Sequence, residues 1–270
     1  MHLTPTQHEA IANALYEAER TAVPIEPIST TYPDADVDDA YAISRAVTGR
    51  KLAEGRRVKG HKVGLTSKAM RSLTTATEPD YGTLTDDFFV AEGSTVRRSR
   101  MNRPLVEVEI AFVLKRDLAG PSVHAAEVIQ ATDFILPCLE IVDSRQVRRG
   151  PSPLVDTIAD AASCGFVVLG GNPRRLIDVD VRRIGAVLLK NGDVEESGVA
   201  AAVMGNPVNA VVWLANKLLE LGVHLEAGHV VLSGSFVKAI PFGAGDTLTA
   251  IFDTLGEVSL SVAPDDEARR

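Results

Sequence analysis

Short apolar runs bounded by glycine and proline dominate the chain after Gly55, and they have the length and residue types of β-strands. In one of them, residues 106–114, apolar and acidic positions alternate with the period of two that is typical of a strand with two different faces. Eight strands are predicted, at residues 58–65, 106–114, 135–142, 166–169, 186–189, 229–232, 247–252 and 258–262.

The first part of the chain has the periodicity of helices instead. Thr4 is a suitable N-cap for a first helix, and apolar residues recur at helical spacing again over residues 40–53. Two further helices are predicted at residues 123–133, with Ser122 as the cap, and at residues 207–221, with Asn206 as the cap.

Strands outnumber helices and the two do not alternate regularly, which indicates an α+β fold rather than a doubly wound α/β fold. Asn191-Gly192 lies between two apolar segments and predicts a tight hairpin turn. We expect a helical N-terminal segment over residues 1–57, a β-rich domain over residues 58–264, which would hold any catalytic site, and a frayed polar tail over residues 265–270.

The 270 residues include 36 acidic and 28 basic side chains, which gives a net charge of −8. This balance argues against binding to nucleic acid or to an acidic membrane surface. The longest apolar runs have about six residues where a membrane span needs roughly 20, and the N-terminus lacks a signal-peptide pattern. Because Cys138 and Cys164 form neither a disulfide framework nor a metal-type motif, we expect a cytoplasmic protein.

Several common catalytic motifs are absent from the sequence. It contains no Walker-type loop, dinucleotide-binding glycine pattern, nucleophile elbow or His-Glu-x-x-His motif, so nucleotide and zinc chemistry are not indicated. Ser235 and Lys238 have the Ser-x-x-Lys spacing of β-lactamases. The partner motifs are missing, however, and a turn followed by a strand is the better interpretation.

Two carboxylates occupy one face of the predicted strand 106–114. Glu107 and Glu109 are two residues apart, so their side chains point the same way, roughly 6–7 Å apart along the strand. A solvated strand face often carries glutamate, but Ala111 and Val113 continue this face, which favours burial. The pair therefore fits either a solvated face or a site for one cation between the two carboxylates.

Glu140 is a lone carboxylate inside the apolar run 135–142. A buried carboxylate is costly unless it is paired or bound to a metal, and three converging carboxylates would repel one another without a cation. An all-oxygen set favours a hard ion such as Mg²⁺ or Mn²⁺. An ion pair between Glu140 and Arg145, Arg148 or Arg149 is the alternative that the sequence leaves open.

Further candidate groups lie in short segments rich in small residues. Lys62 is placed between two glycines in the first predicted strand, where burial and a nearby cation would lower its pKa and make it an acid/base group; a structural ion pair is the alternative. Segment 78–84 has residue types that favour a turn, and its Asp80 could face the possible cation site of the glutamates. Loops at 160–165 and 233–235 would let a substrate approach the backbone closely.

Together these segments resemble the 2-oxo-4-enoate hydratase and 4-oxalocrotonate decarboxylase group of the fumarylacetoacetate hydrolase superfamily. The resemblance implies a mixed, strongly curved β-roll beside a helical N-terminal segment, and usually a homo-oligomer. It is carried, in chain order, by residues 60–70, 78–84, 106–114, 137–145, 156–160 and 205–216.

The resemblance also implies roles for individual residues. Metal ligands for Mg²⁺ or Mn²⁺ would be Glu107, Glu109 and Glu140. The acid/base groups would be Lys62 and Asp80, and Ser163 would border the substrate. The small-residue loop 233–235 adds Ser235 as a second candidate for substrate binding.

Three features depart from the pattern of this group. Leu105 stands where many relatives have arginine, and Ala161 stands where many have asparagine. Segment 146–154 is shorter than in the hydratases that act on heptenedioates. The two replaced residues change the polar groups expected around the substrate.

The resemblance implies a hydratase that adds water to a 2-hydroxydienoate or 2-oxo-4-enoate in the meta-cleavage degradation of aromatic compounds or in steroid degradation. Decarboxylation of 4-oxalocrotonate, with the same metal as electron sink, is the first alternative. Hydrolysis of a C–C bond in an acylpyruvate is another, and it would need a general base such as a His–Glu dyad. A non-catalytic protein, or a partner subunit in complex with a pathway aldolase or decarboxylase, is the remaining alternative.

Overall fold

The computed structural model describes residues 1–67, 76–120, 122–150 and 152–264. The expected tail at 265–270 and the last part of the motif 60–70 lie outside the described residues. The chain combines helices with two sheets, the larger of them strongly curled, which confirms the α+β class and the β-roll. The division at residue 57 stays a prediction.

Three helices form the N-terminal part: α1 (Pro5–Thr21), α2 (Ile28–Thr31) and α3 (Val37–Ala53). Thr4 caps α1 as predicted, because its hydroxyl accepts a hydrogen bond from the Gln7 amide while the Gln7 side chain accepts one from the Thr4 amide. α3 begins three residues earlier than predicted, since Asp36 caps it through the same exchange with Asp39. None of the described helices is both long and apolar enough to cross a membrane.

The described strands fall into two sheets. They are β1 (Val58–Gly64), β2 (Asp80–Thr85), β3 (Phe89–Val90), β4 (Thr95–Val96), β5 (Leu105–Leu114), β6 (Thr132–Val142), β7 (Cys164–Leu169), β8 (Gly185–Lys190), β9 (Asp193–Val199), β10 (Val230–Leu232), β11 (Ile240–Pro241), β12 (Thr247–Phe252) and β13 (Gly256–Val262). The larger sheet has the order β2-β1-β10-β5-β6-β7-β3, with β11 also paired to β5. The smaller sheet has the order β4-β13-β12-β8-β9.

The main core lies on one side of β5. Val106, Val108 and Ile110 are fully buried there, in one apolar cluster with Leu248 and Val258 of the smaller sheet. The residues between them on β5 point to the opposite side of the larger sheet. Glu107 and Glu109 therefore lie on the second face of β5, away from this core.

The later helices are α4 (Ala125–Ala131), α5 (Leu154–Ala159) and α6 (Pro207–Glu220). Asn206 caps α6 as predicted, by accepting a hydrogen bond from the Val208 amide. The helix expected over residues 123–133 is shorter, because it starts after His124 and Thr132 already begins β6. The expected cap at Ser122 is therefore wrong.

Two predicted turns have different outcomes. Asn191-Gly192 forms the expected hairpin turn, with Lys190 paired to Asp193 and both turn residues at positive φ. Segment 78–84, expected to be a turn, instead forms β2 from Asp80 onward. Its turn-forming residue types are overridden by antiparallel pairing with the whole of β1.

Candidate metal centre

The pairing of two strands places three glutamates on one face of the larger sheet. Glu107 of β5 lies directly opposite Glu140 of β6, so both side chains point to the same side. Glu109, two residues along β5, points the same way. The three residues offer carboxylate oxygens that all lie within 4.8 Å of one another. The structure thus brings the three predicted ligands together.

Lys62 and Asp80 share this face. Lys62 of β1 is paired with Leu232 of β10, and Leu232 is paired with Ala111, which lies on the glutamate side of β5. Asp80 is paired with Gly64, two residues from Lys62 on β1. Since paired residues and every second residue of a strand point to one side, the register alone puts both groups beside the glutamates.

Lys62 is held between a carboxylate and a carbonyl group. Its Nζ lies 3.0 Å from Glu140 Oε1 and donates a hydrogen bond of 2.9 Å to the carbonyl oxygen of Ala162. Asp80 Oδ2 accepts a hydrogen bond from the Thr157 hydroxyl at 3.3 Å. Lys62, Asp80 and Glu140 are 4%, 3% and 0% exposed, so these charges are removed from water.

The alternative in which an arginine neutralises Glu140 is wrong. Arg145 is buried, but its Nε pairs with Asp160. Arg149 pairs with Glu26 at the surface, and Arg148 forms no ion pair with Glu140 within the described residues. Lys62 therefore supplies the cation nearest to Glu140 among the described residues, and the glutamates are left with an excess of negative charge.

Burial and mutual repulsion shift the titration of the acids. Burial, reinforced by Glu140, raises the pKa of Glu107 to about 7 and raises the pKa of Glu109 well above its usual value. Burial likewise raises the pKa of Asp80, against the opposing charge of Lys62. All three groups therefore resist ionisation in the absence of a cation.

The pKa of Lys62 moves in the direction opposite to the expected one. Burial lowers it, but the carboxylates of Glu140, Glu107 and Asp80 together raise it more, so the net shift is upward. Without a metal, three neighbouring negative charges outweigh desolvation. The lowered pKa expected beside a bound cation stays a prediction.

The residues present fit a hard divalent cation. When all are ionised, the four carboxylates and one ammonium leave three net negative charges on this buried face. Oε1 of Glu140 faces the Lys62 ammonium group, whereas Glu140 Oε2 and Asp80 Oδ1 accept no hydrogen bond within the described residues. Buried carboxylate oxygens without donors are what Mg²⁺ or Mn²⁺ binds. The acidic cluster can therefore hold such an ion.

Glycines in three of the segments selected from the sequence complete the site. The amide of Gly234 donates a hydrogen bond of 2.7 Å to Glu109 Oε2, which leaves the other oxygen of that carboxylate for the cluster. A Cβ at Gly64 would lie 2.1 Å from Asp80 Oδ1, and one at Gly82 would lie 2.2 Å from the carbonyl oxygen of Ala161. Glycine is needed at both positions because the backbone and Asp80 already fill the space.

The two serines predicted to border the substrate are placed differently. Ser163 is buried and ends a run of three residues with positive φ that begins at Ala161, next to the carbonyl that binds Lys62. The hydroxyl of Ser235 donates to the carbonyl oxygens of Val108 and Val237, so it stabilises the turn after β10. Contact of either serine with substrate stays a prediction.

His61 lies on the other face of β1 from Lys62. Its ring packs near the rings of Tyr81 and His229, and its Nδ1 has no hydrogen-bond partner among the described residues. Burial lowers its pKa to about 3, so the ring is neutral. Because His61 faces away from the glutamates, it provides no His–Glu dyad for C–C hydrolysis.

Without metal, Glu107→Gln should make stability less dependent on pH between about 4.5 and 7. The pKa of Glu107 rises from 4.5 to about 7 on folding, so the folded chain retains a proton that the unfolded chain releases, and stability falls as pH increases through this interval. Each pKa unit corresponds to about 1.4 kcal/mol. Thermal melts of both EDTA-treated proteins at several pH values measure the difference, and parallel curves would contradict the raised pKa.

Residues 51–263 match the model of the fumarylacetoacetate (FAA) hydrolase C-terminal family. The chain belongs to this family. Its membership confirms the resemblance identified from the sequence, and the matched range includes all five clustered side chains.

Individual relatives of this FAA hydrolase family member are similar along nearly their whole length. It is 44% identical over 258 residues to the 2-oxo-hept-4-ene-1,7-dioate hydratase of Escherichia coli, an alignment that covers 93% of this chain and 96% of the relative. It is 41% identical over 256 residues to the 2-keto-4-pentenoate hydratase of Paraburkholderia xenovorans, covering 95% of each.

A solved structure of the family is also closely similar. The 4-oxalocrotonate decarboxylase from Pseudomonas putida G7, complexed with magnesium and adipate, superposes with a TM-score of 0.93 at 36% identity. The superposition covers 96% of this chain and 98% of that chain. A magnesium complex of this relative agrees with the all-oxygen cluster described above.

Proposed function

We propose that this chain is a hydratase, dependent on Mg²⁺ or Mn²⁺, that adds water to a 2-hydroxy-2,4-dienoate or its 2-oxo-4-enoate form and gives a 4-hydroxy-2-oxo acid. The observation that carries the proposal is one largely buried face of the sheet that carries Lys62, Asp80 and three glutamates, of which Glu107 is partly exposed. Relatives 44% and 41% identical are named as hydratases of such acids. The reaction belongs to the meta-cleavage degradation of aromatic compounds or to steroid degradation.

In this proposal the three glutamates would hold the cation, and the cation would supply a Lewis acid that stabilises the negative charge developing on the 2-oxo acid. Lys62 lies beside Glu140, so its ammonium group reaches the same space and can donate a proton to the substrate. Asp80 has an oxygen without a donor and a raised pKa, so it takes up a proton more readily than an exposed aspartate does. Together Lys62 and Asp80 move the protons that tautomerisation and water addition require.

Decarboxylation of 4-oxalocrotonate is the second candidate function. It is favoured by one observation, the TM-score of 0.93 to a 4-oxalocrotonate decarboxylase. Loss of CO₂ and addition of water both need stabilisation of negative charge next to the 2-oxo group, so the same glutamates and cation serve either reaction. The site alone therefore supports both, and the identity of the product separates them.

Product identity with and without metal tests the proposal. After EDTA treatment we expect no turnover, and after Mg²⁺ addition we expect a 2-hydroxydienoate to lose its conjugated absorbance and form a 4-hydroxy-2-oxo acid. Release of CO₂ from 4-oxalocrotonate without hydration of dienoates would instead identify a decarboxylase. Full activity after exhaustive EDTA treatment would refute the dependence on a metal. Absence of both turnover and metal binding would indicate a non-catalytic partner subunit.

The proposal extends to a cytoplasmic homo-oligomer. Cys138 and Cys164 are free and buried, which suits a reducing compartment. Val194 and Val199 on β9 and Ile251 on β12 are exposed apolar side chains of the smaller sheet, and such side chains suit a subunit interface. Light scattering of the purified chain measures the oligomer, and co-purification tests a complex with a pathway aldolase or decarboxylase.

A further inference from the structure

A groove rich in arginine opens at the end of β5 that precedes the glutamates. It has a volume of about 540 Å³. Its apolar lining includes Pro104, Leu105 and Phe242, and four arginines surround this apolar part, namely Arg98, Arg103, Arg148 and Arg149. Apolar walls with cationic groups at the margin suit a ligand with a hydrocarbon chain and an anionic end.

Three of the four arginines are already engaged in the fold. Arg98 donates hydrogen bonds to the carbonyl oxygens of Met101 and Asn102. Arg149 forms a two-pronged ion pair with Glu26. Arg103 donates to the carbonyl oxygen of Arg148 and so fixes the backbone of that residue.

Arg148 is the exception in this set. Its guanidinium group has no hydrogen-bond or ion-pair partner in the described part of the chain, although the residue is half-buried. A partly desolvated guanidinium without a carboxylate is unusual, because its five donors normally find acceptors. The group is therefore free to bind an anion that enters the groove.

The groove adjoins the metal centre. Leu105 lines the groove and lies two residues before Glu107 on β5, so both side chains point to the same face. A ligand bound to a cation at the three glutamates can thus extend past Leu105 toward Arg148, which lines the same groove.

We propose that Arg148 binds a second carboxylate at the far end of the substrate, so that the enzyme prefers a dienoate that carries two carboxylates over one that carries a single carboxylate. This inference rests on the proposed function of the metal centre, which binds the first carboxylate. The planar guanidinium group suits the second, because it can donate two parallel hydrogen bonds to one carboxylate.

The experiment compares 2-hydroxyhepta-2,4-diene-1,7-dioate with 2-hydroxyhepta-2,4-dienoate, which has the same carbon chain but lacks the second carboxylate. For Arg148→Gln we expect kcat/KM on the dicarboxylate to fall about ten- to a hundredfold, mainly through KM, with little change on the monocarboxylate. Arg148→Lys should recover part of the loss, because lysine keeps the positive charge but cannot donate two parallel hydrogen bonds from a planar group. Arg182→Gln removes an exposed arginine that is paired with Asp180, and it is the matched control. It should leave kcat/KM unchanged for both substrates.

A binding measurement separates failure of the subsite from failure of the proposed function. Calorimetry of the Mg²⁺-loaded protein with adipate and with hexanoate needs no turnover, and we expect wild type, but not Arg148→Gln, to prefer adipate. If wild type turns over neither dienoate but shows this preference, the subsite stands and the hydratase proposal fails. If the enzyme hydrates dienoates but Arg148→Gln affects the two substrates equally, or affects neither, the subsite is overturned.

Discussion

Glu140→Gln should abolish both Mg²⁺ binding and turnover. Glutamine has the same shape, so it fits the paired strands β5 and β6 without a cavity, but it removes the charge from the most deeply buried member of the cluster. A metal ion acting as Lewis acid contributes several kcal/mol to transition-state stabilisation, so we expect kcat/KM to fall by at least about 10³-fold. Calorimetric titration with Mg²⁺ and the dienoate assay measure the two losses.

Two comparisons make this result specific. Glu107→Gln should behave in the same way, because Glu107 lies directly opposite Glu140 in the strand pair. Glu257→Gln removes an exposed carboxylate from β13 and should leave both measurements unchanged. Mg²⁺-dependent turnover of Glu140→Gln within threefold of wild type, on the order of what surface changes produce, would remove Glu140 from the metal site.

Lys62→Met should abolish turnover while Mg²⁺ binding remains. Methionine replaces the length and apolar stem of the lysine but not its ammonium group, so proton transfer is lost, and a fall in kcat of about 10²–10⁴-fold follows. Removing the positive charge 3.0 Å from Glu140 leaves the carboxylates more negative. The affinity for Mg²⁺ should therefore be equal to or higher than that of wild type, which is the opposite of the result expected for Glu140→Gln.

Stability measurements separate a catalytic from a structural role of Lys62. Without metal, Lys62→Met leaves a buried carboxylate without its partner, at a cost of about 3–5 kcal/mol, and bound Mg²⁺ should restore much of the melting temperature. Lys59→Met, three residues earlier on the same strand and exposed, is the matched control. A metal-loaded Lys62→Met protein that is folded and fully active would show that the lysine only balances charge.

The sequence predicted which carboxylates belong to the cluster better than it predicted how they are arranged. The period of two placed Glu107 and Glu109 on one face, and the apolar surroundings of Glu140 indicated a buried charge. Neither pattern contains the strand register that sets Glu140 opposite Glu107, because register depends on pairing between distant segments. The contact between Lys62 and Glu140 was even harder to predict from the sequence. Lys62 is on β1 and Glu140 is on β6, and strands β10 and β5 lie between β1 and β6 in the sheet.

The errors in the sequence analysis also have physical causes. Residues 78–84 contain glycine, proline and aspartate, which favour turns, yet pairing with β1 makes them a strand from Asp80. The helix at 123–133 ends early because Thr132 enters β6, where long-range hydrogen bonds replace helical ones. Backbone groups such as the Ala162 carbonyl and the Gly234 amide bind site side chains but leave no signature in a sequence.

The alternation along β5 has a consequence for how the protein can be altered. Residues 106, 108 and 110 are buried in the core, whereas residues 105, 107 and 109 lie on the face of the proposed metal and substrate site. Positions that stabilise the fold therefore alternate with positions of the proposed site along one strand. A combinatorial library that varies position 105 and keeps Glu107 and Glu109 would explore new substrates with little risk to solubility. The even-numbered positions, varied separately, would tune thermal tolerance at unchanged selectivity.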